Sequence, residues 1–217
     1  RSYVSSMSVA ANVFIGNFRW NADNATQPFM DRRSIASAFL NWEQILEFNC
    51  ELLTRLEVKS VDWNCWSTVG EVFVRLFPFL RLYIEYCTGY QNGIKIITDL
   101  CSQNSMFKAY VCDLERHPDL KGLSIYDYLI MPIQRIPRYN MLLASLLKYT
   151  WVTHPDFDQL SVAWGIVNDI ADRVNQAIRQ SQDLPGVIKV MRQLKGAMSA
   201  MSLVKPDRRY IRDGTVY

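Results

Sequence analysis

Covalent chemistry has few residues to work with in this chain of 217. Two histidines, His117 and His154, lack helix-face partners at ligand spacing, so no zinc site is expected and neither a Ser-His-Asp nor a Cys-His arrangement is credible. Five cysteines, Cys50, Cys65, Cys87, Cys101 and Cys112, are odd in number and widely spaced, with no Cys-x-x-Cys pair, and read as buried thiols of a reducing compartment. Nine scattered glycines form no phosphate-cradling loop. What remains is recognition chemistry. In LSIYDYLIMPIQRIPRYNMLLASLLKY, residues 123–149, the side chains of Asp127, Gln134, Arg138, Met141 and Ser145 fall on one side of a helix drawn at 100° per residue. Such a row on a rigid rod can meet a partner through hydrogen bonds and ion pairs.

The opposite side of that rod carries Leu129, Ile136, Tyr139, Leu143, Leu146 and Leu147, the spacing of a buried apolar stripe. Pro132 and Pro137 each remove a backbone donor, so the helix is expected to bend or restart near them. After the turn Thr153-His154-Pro155-Asp156, a last long helix puts Leu160, Ala163, Val167, Ala171, Val174 and Ile178 inward. About a quarter-turn round it lies the polar stripe Asn168, Asp172, Asn175 and Arg179. Leu184-Pro185-Gly186 is expected to break or bend this helix.

Upstream, Asp31 is a candidate N-cap for one helix running through Ile35, Phe39, Ile45, Phe48, Leu52 and Leu56. Trp63, Trp66, Val69, Val72, Phe73 and Leu76 continue in helical register toward Leu80, with Pro78 dividing that run. Residues 103–116 give a shorter helix with Phe107, Tyr110, Val111 and Leu114 inward, ending before His117-Pro118.

Composition sets the class. An apolar fraction of 49% and a charged fraction of 21% are those of a globular protein, and a net charge of +3 is too small for a dedicated nucleic-acid binder. The charge is uneven: residues 183–217 hold seven basic and three acidic side chains. Glu71, Arg75, Arg81 and Glu85 interrupt the most apolar window, which argues against a membrane span. No cleavable signal opens the chain, and the reading is cytoplasmic.

One segment carries a family likeness. YLIMPIQRIPRYNMLLASLLKYT, residues 128–150, resembles the third conserved region of Dbl-homology domains, whose usual form is YLxKPxQRIPRYxxLLxxLLKxT. Arg1, Tyr3, Val4 and Met7 resemble the end of the first region, TERxYVxxL, and residues 77–90 resemble the second. Arg173-Val174-Asn175-Gln176 is similar to the HINE-like motif of the last helix. LVKPDRRYIRDGTVY, with its hairpin-turn pair Asp213-Gly214, resembles the opening strand of the pleckstrin-homology domain that usually follows.

The resemblance implies an all-α fold, an elongated bundle of about six helices with a short β-like segment at its C-terminal end. It implies a Dbl-homology domain over residues 1–182, a helical linker over 183–204 and a truncated pleckstrin-homology start over 205–217. The implied function is guanine-nucleotide exchange on a Rho- or Rac-family small GTPase: the helical surface binds the switch regions, disturbs the Mg²⁺ and phosphate contacts, and stabilises a nucleotide-free complex that then captures GTP. No bound cofactor is needed, no nucleic acid takes part, and anionic membrane lipids are met through the following domain.

By the same resemblance Gln134 and Arg138 contact the switches, and Asn175 reaches the second switch. Asn140 and Met141 are further candidate contacts, and Asn140 lies near a partner residue that differs among Rho, Rac and related GTPases. Arg135 supports the bundle instead. The family's acidic contact of the first region would precede Arg1. Met131 departs from the pattern, standing where Lys is usual before the proline. Two other readings remain open at this point: an interaction module that keeps the fold without exchange activity, and a helical scaffold joining proteins through its basic end.

Overall fold

The computed structural model of the chain describes the backbone of residues 1–193 and the side chains of residues 1–179. Ten α-helices occur among them: α1 Ser2–Ala10, α2 Asn17–Asn24, α3 Arg32–Phe39, α4 Trp42–Ser60, α5 Gly70–Leu76, α6 Leu82–Gln103, α7 Ser105–Leu114, α8 Ile125–Leu129, α9 Met131–Lys148 and α10 Phe157–Gln193. A π-helical turn, Ala11–Gly16, joins α1 to α2, and a 3-10 turn, Phe77–Arg81, joins α5 to α6. Together these helices make the all-α bundle expected from the sequence, and no strand occurs among the described residues. The β-like segment at 205–217 and the second half of the linker, residues 194–204, lie outside the described residues.

Local chemistry starts several helices where polar side chains meet orphan backbone donors. Asp31 accepts from the Ser34 amide at 2.7 Å at the start of α3, as expected. Asn104 accepts from the Met106 and Phe107 amides at 3.0 Å, opening α7. Ser124 and Asp127 close a capping box at α8, with the Asp127 carboxylate accepting from the Ser124 amide at 2.9 Å. Pro132 sits in the first turn of α9 and marks the expected restart, whereas Pro137 stands inside α9 without interrupting it.

The long helix expected from Ile35 to Leu56 is two helices. Leu40 adopts φ 54° and ψ −135°, a conformation that costs a bulky residue about 1–3 kcal/mol. Tertiary packing offsets it. Gly89 on α6 leaves room for the Leu40 side chain, since a Cβ there would lie 2.6 Å from Leu40 Cδ2. Buried Asn41 donates to the Leu82 carbonyl at 2.8 Å, tying the break to α6.

Trp63 and Trp66 are also not helical. They are exposed in the 61–69 loop, where the Asn64 side chain accepts from the Trp66 amide and Ser67 Oγ accepts from the Asn64 amide, each at 2.9 Å. Those local bonds compete with the helical ladder. At the other end, α10 runs unbroken through Pro185 to Gln193, so 184–186 bring no break in the helix.

The apolar stripes fill one core. Ile136, Tyr139 and Leu143 of α9 are buried with Leu160, Ala163, Val167 and Val174 of α10, as their periodicity requires. Trp42, fully buried, donates to the Met7 carbonyl at 3.2 Å, and Tyr86 donates to the Leu129 carbonyl at 2.7 Å. Buried Asp156, just before α10, accepts from the amides of Val69 and Gly70 at 2.8 Å each and so caps α5 from across the chain. Only glycine fits at position 70, because a Cβ would lie 2.6 Å from Gln159 Cβ. The cysteine reading needs correction: Cys50, Cys65 and Cys112 are exposed, Cys101 is half-buried, and only Cys87 is buried, its thiol pushed up to about 12 by desolvation. Cys50 and Cys112 sit on the outward faces of α4 and α7, which spacing between cysteines does not reveal.

Candidate functional site

The outward ridge of α9 carries the row expected from the sequence. Gln134, Arg138, Met141 and Ser145 are all exposed, Met141 at 71%, while Asp127 is spent on the cap of α8. Neither Gln134 nor Arg138 has a side-chain hydrogen bond or ion pair among the described residues. Both line a cleft of about 260 Å³ between α9 and the start of α1, together with Ser2, Tyr3, Ser6, Met131 and Arg135. The cleft holds two guanidinium groups and no carboxylate. A charge left unpaired on a rigid helix keeps its full capacity to pair with an incoming acidic group. Met131, at the position where the family pattern has Lys, lines the same cleft and adds no charge.

Beneath the ridge, Arg135 lies between two rings, its guanidinium carbon 4.4 Å from the centroid of Tyr3 and 4.2 Å from that of Tyr139. Its Nε is buried without a hydrogen-bond partner, so stacking holds it. This is the bundle-supporting role expected for Arg135. Tyr3 and Tyr139 open a buried polar chain. The Tyr3 and Tyr83 hydroxyls meet at 3.2 Å, Asn49 Nδ2 donates to the Tyr83 hydroxyl at 2.9 Å, and the Tyr139 hydroxyl donates to Asn49 Oδ1 at 2.6 Å. Asn49 Nδ2 also donates to the Ile45 carbonyl at 2.6 Å, which uses the whole amide. Burial pushes the hydroxyls of Tyr3, Tyr83 and Tyr139 above the usual phenol range, so they remain neutral donors and acceptors. The chain joins α1, α4, α6 and α9 and fixes one wall of the cleft against the other. Nothing in the sequence marked it, because its hydrogen-bonded partners stand 34 to 90 residues apart.

The remaining candidates lie toward α10. Asn140 is turned about 200° from Arg138 on an ideal helix, off the ridge and onto the flank that faces α10. There Trp164 Nε1 donates to Asn140 Oδ1 at 2.8 Å. Asn175 is exposed on α10 and makes no side-chain hydrogen bond among the described residues. Three turns beyond Trp164, at 100° per residue, it returns to within about 20° of the same side of the helix. Thus Gln134, Arg138 and Met141 share the ridge of α9, while Asn140 and Asn175 lie along the adjoining groove with α10. A second cleft, about 310 Å³ and lined by Arg55, Lys59, Glu71 and Arg75 among others, contains none of these residues. Among the described residues no group of three His, Cys, Asp or Glu is placed to hold a metal ion.

Known proteins share both sequence and fold. The "Guanine exchange factor for Rac 30" of Dictyostelium discoideum is 31% identical over 215 residues, covering 99% of this chain and 12% of that protein. The "FYVE, RhoGEF and PH domain-containing protein 4" of Rattus norvegicus is 26% identical over 217 residues, covering 100% of this chain and 28% of that protein. The chain thus spans well under a third of these curated relatives. Among solved structures, the complex of PDZ-RhoGEF DH/PH domains with GTP-gamma-S activated RhoA superposes with a TM-score of 0.78 at 18% identity, over 89% of this chain and 54% of that one. The apo structure of the activated truncation of Vav1 gives 0.80 at 18% identity, over 93% and 49%. Those two likenesses concern the fold. The RhoGEF domain family model matches residues 1–175, which include α1, the α9 ridge and Asn175. On that match the chain belongs to the RhoGEF domain family.

Proposed function

We propose that this chain is a guanine-nucleotide exchange module for a Rho- or Rac-family small GTPase, and that Gln134, Arg138, Met141, Asn140 and Asn175 belong to the surface it offers. The observation that carries the reading is the α9 ridge: a RhoGEF-family chain keeps Gln134 and Arg138 exposed and unpaired beside a cleft that α1 completes. The name of the Rac 30 relative and the RhoA complex among the matched folds support the choice of partner class.

The mechanism is differential binding. A rigid surface that fits the switch regions in their nucleotide-free arrangement lowers the free energy of that state, and by linkage it weakens nucleotide affinity by the same factor. Arg138 pairs with an acidic group of the second switch, and the carboxamides of Gln134 and Asn175 both donate and accept there. No covalent bond forms or breaks on this chain. Met131 supports a second reading, a module that binds without exchanging, because the cleft lacks the cation that the family pattern places there.

The experiment is release of a fluorescent guanine nucleotide across a panel of Rho-family GTPases. Acceleration for at least one member is expected, and acceleration for none rejects the reading. Membrane contact we assign to the basic segment at 183–217 and the domain it introduces, where each Lys or Arg near an anionic surface adds about 1 kcal/mol. Among the described residues no helix is long and apolar enough to cross a membrane. Sedimentation with anionic liposomes tests this assignment: residues 1–182 alone binding as well as the longer protein would reject it.

A further inference from the structure

The hydrogen bond between Trp164 and Asn140 fixes more than a distance. An indole N–H is a donor only, so it must meet the carbonyl end of the Asn140 amide, at 2.8 Å. The other end, Nδ2, has no partner among the described residues and is not one of the buried unsatisfied groups. Its two N–H donors are therefore turned toward solvent from the flank of α9. Trp164 itself is 40% exposed, on the side of α10 that also carries Asn175. A free asparagine on a helix surface turns its amide either way and offers a donor or an acceptor. Here the indole removes that choice.

We infer that Trp164 is a positioning residue for Asn140: it holds the amide with Oδ1 inward and presents the Nδ2 donors, so that the surface selects a GTPase with a hydrogen-bond acceptor opposite. The inference deepens the exchange reading and rests on it. Selectivity follows because a partner with a donor or an apolar group at that point leaves the fixed N–H groups desolvated and unpaired. Such a mismatch discriminates more strongly than the matched bond attracts.

Two substitutions separate the elements of this device. Trp164→Phe keeps an aromatic ring in the groove and removes the N–H, freeing the Asn140 amide to rotate. Asn140→Asp keeps an acceptor for the indole and replaces the presented donors with an acceptor. Nucleotide release would be measured for the full-length protein and both variants across a panel of Rho-family GTPases, with a thermal melt for each. In Trp164→Phe, the ratio of the rate for the best GTPase to that for the next is expected to fall about fivefold, the factor carried by one ordinary hydrogen bond. Asn140→Asp is expected to cut the rate for the best GTPase tenfold or more, since a donor is replaced by a repelling acceptor, while its melt stays parental. If both variants keep the parental ratio, or if every rate falls by one common factor, the positioning role is overturned and the bond is merely structural. A parent inactive on the whole panel overturns the exchange reading and this inference with it.

Discussion

Replacing Asn49 with Ala should be among the most damaging single changes available to a polar residue of this chain. The side chain is buried, at 2% exposure, and its amide donates to the Ile45 carbonyl and the Tyr83 hydroxyl while accepting from the Tyr139 hydroxyl. In Asn49→Ala the Tyr83 hydroxyl keeps Tyr3, and the Ile45 carbonyl keeps its helical partner. Tyr139 keeps only the Arg135 guanidinium, which donates to the phenol oxygen but cannot accept the hydroxyl proton. Orphaning the Tyr139 hydroxyl costs about 1–3 kcal/mol, and the two other lost bonds add about 1 kcal/mol each, so the total is roughly 3–5 kcal/mol. For a domain of this size that lowers Tm by roughly 6–20 °C.

The argument has a sharper form. Tyr139→Phe removes the orphan, so in the Asn49→Ala background it should cost almost nothing or stabilise, giving a coupling of about 1–2 kcal/mol in a double-mutant cycle. Urea unfolding of the parent, both single variants and the double variant measures that coupling, provided the slope with denaturant stays constant. Strictly additive effects, or a loss below about 0.5 kcal/mol for Asn49→Ala, would refute the account of this network, since that is the range of a surface change.

Other expectations follow from equally specific contacts. Gly70→Ala should destabilise by about 1–3 kcal/mol, because the added methyl meets Gln159 and Asp156 at 2.6 and 2.7 Å where α5 abuts α10, and urea unfolding reads the loss. Acid should weaken the fold through Asp31, Asp127 and Glu43, whose carboxyls are held below the usual range by the Ser34 hydroxyl, the Ser124 hydroxyl and the Arg19 guanidinium respectively. A carboxyl depressed in the folded state contributes above its unfolded value of about 4 and loses that contribution as pH falls through the folded value. The urea midpoint should therefore drop between about pH 5 and pH 2, and a triple Asp31→Asn, Asp127→Asn, Glu43→Gln variant should show a shallower drop. Alkylation of the native chain at pH 8 should mark Cys50, Cys65 and Cys112 first and reach Cys87 only on unfolding, because burial keeps that thiol protonated and covered. Prompt native labelling of Cys87 would contradict its placement.

Periodicity made the inner faces of α9 and α10 legible, since Ile136, Tyr139, Leu143, Leu160, Ala163 and Val167 recur at intervals that only a core-facing helix needs. The start of α3 at Asp31 was legible too, because an N-cap is a local bond between neighbours. The break at Leu40 was not. It depends on Gly89 and Leu82, more than 40 residues away, and the local pattern there is that of an unbroken helix. Trp63 and Trp66 kept helical spacing by chance while Asn64 and Ser67 built a turn from their side chains. At the candidate site, spacing along one helix placed Gln134, Arg138 and Met141 together on an open ridge. It carried no information on the groove, because the pairing of Asn140 with Trp164 depends on the register between two helices. The Tyr3, Tyr83, Asn49 and Tyr139 chain was hidden for the same reason.

The central claim is that the open ridge of α9 engages a GTPase, and Arg138→Ala tests it most directly. Arg138 is exposed and bonded to nothing among the described residues, so its removal should change stability by no more than about 0.5 kcal/mol. Truncating a charged contact at the centre of an interface typically costs about 2 kcal/mol or more, roughly thirtyfold in the affected equilibrium. The measurement is nucleotide release from the responsive GTPase, parent against Arg138→Ala, with melts of both. The account predicts matched melts and a loss of most exchange activity; matched melts with parental exchange would contradict it.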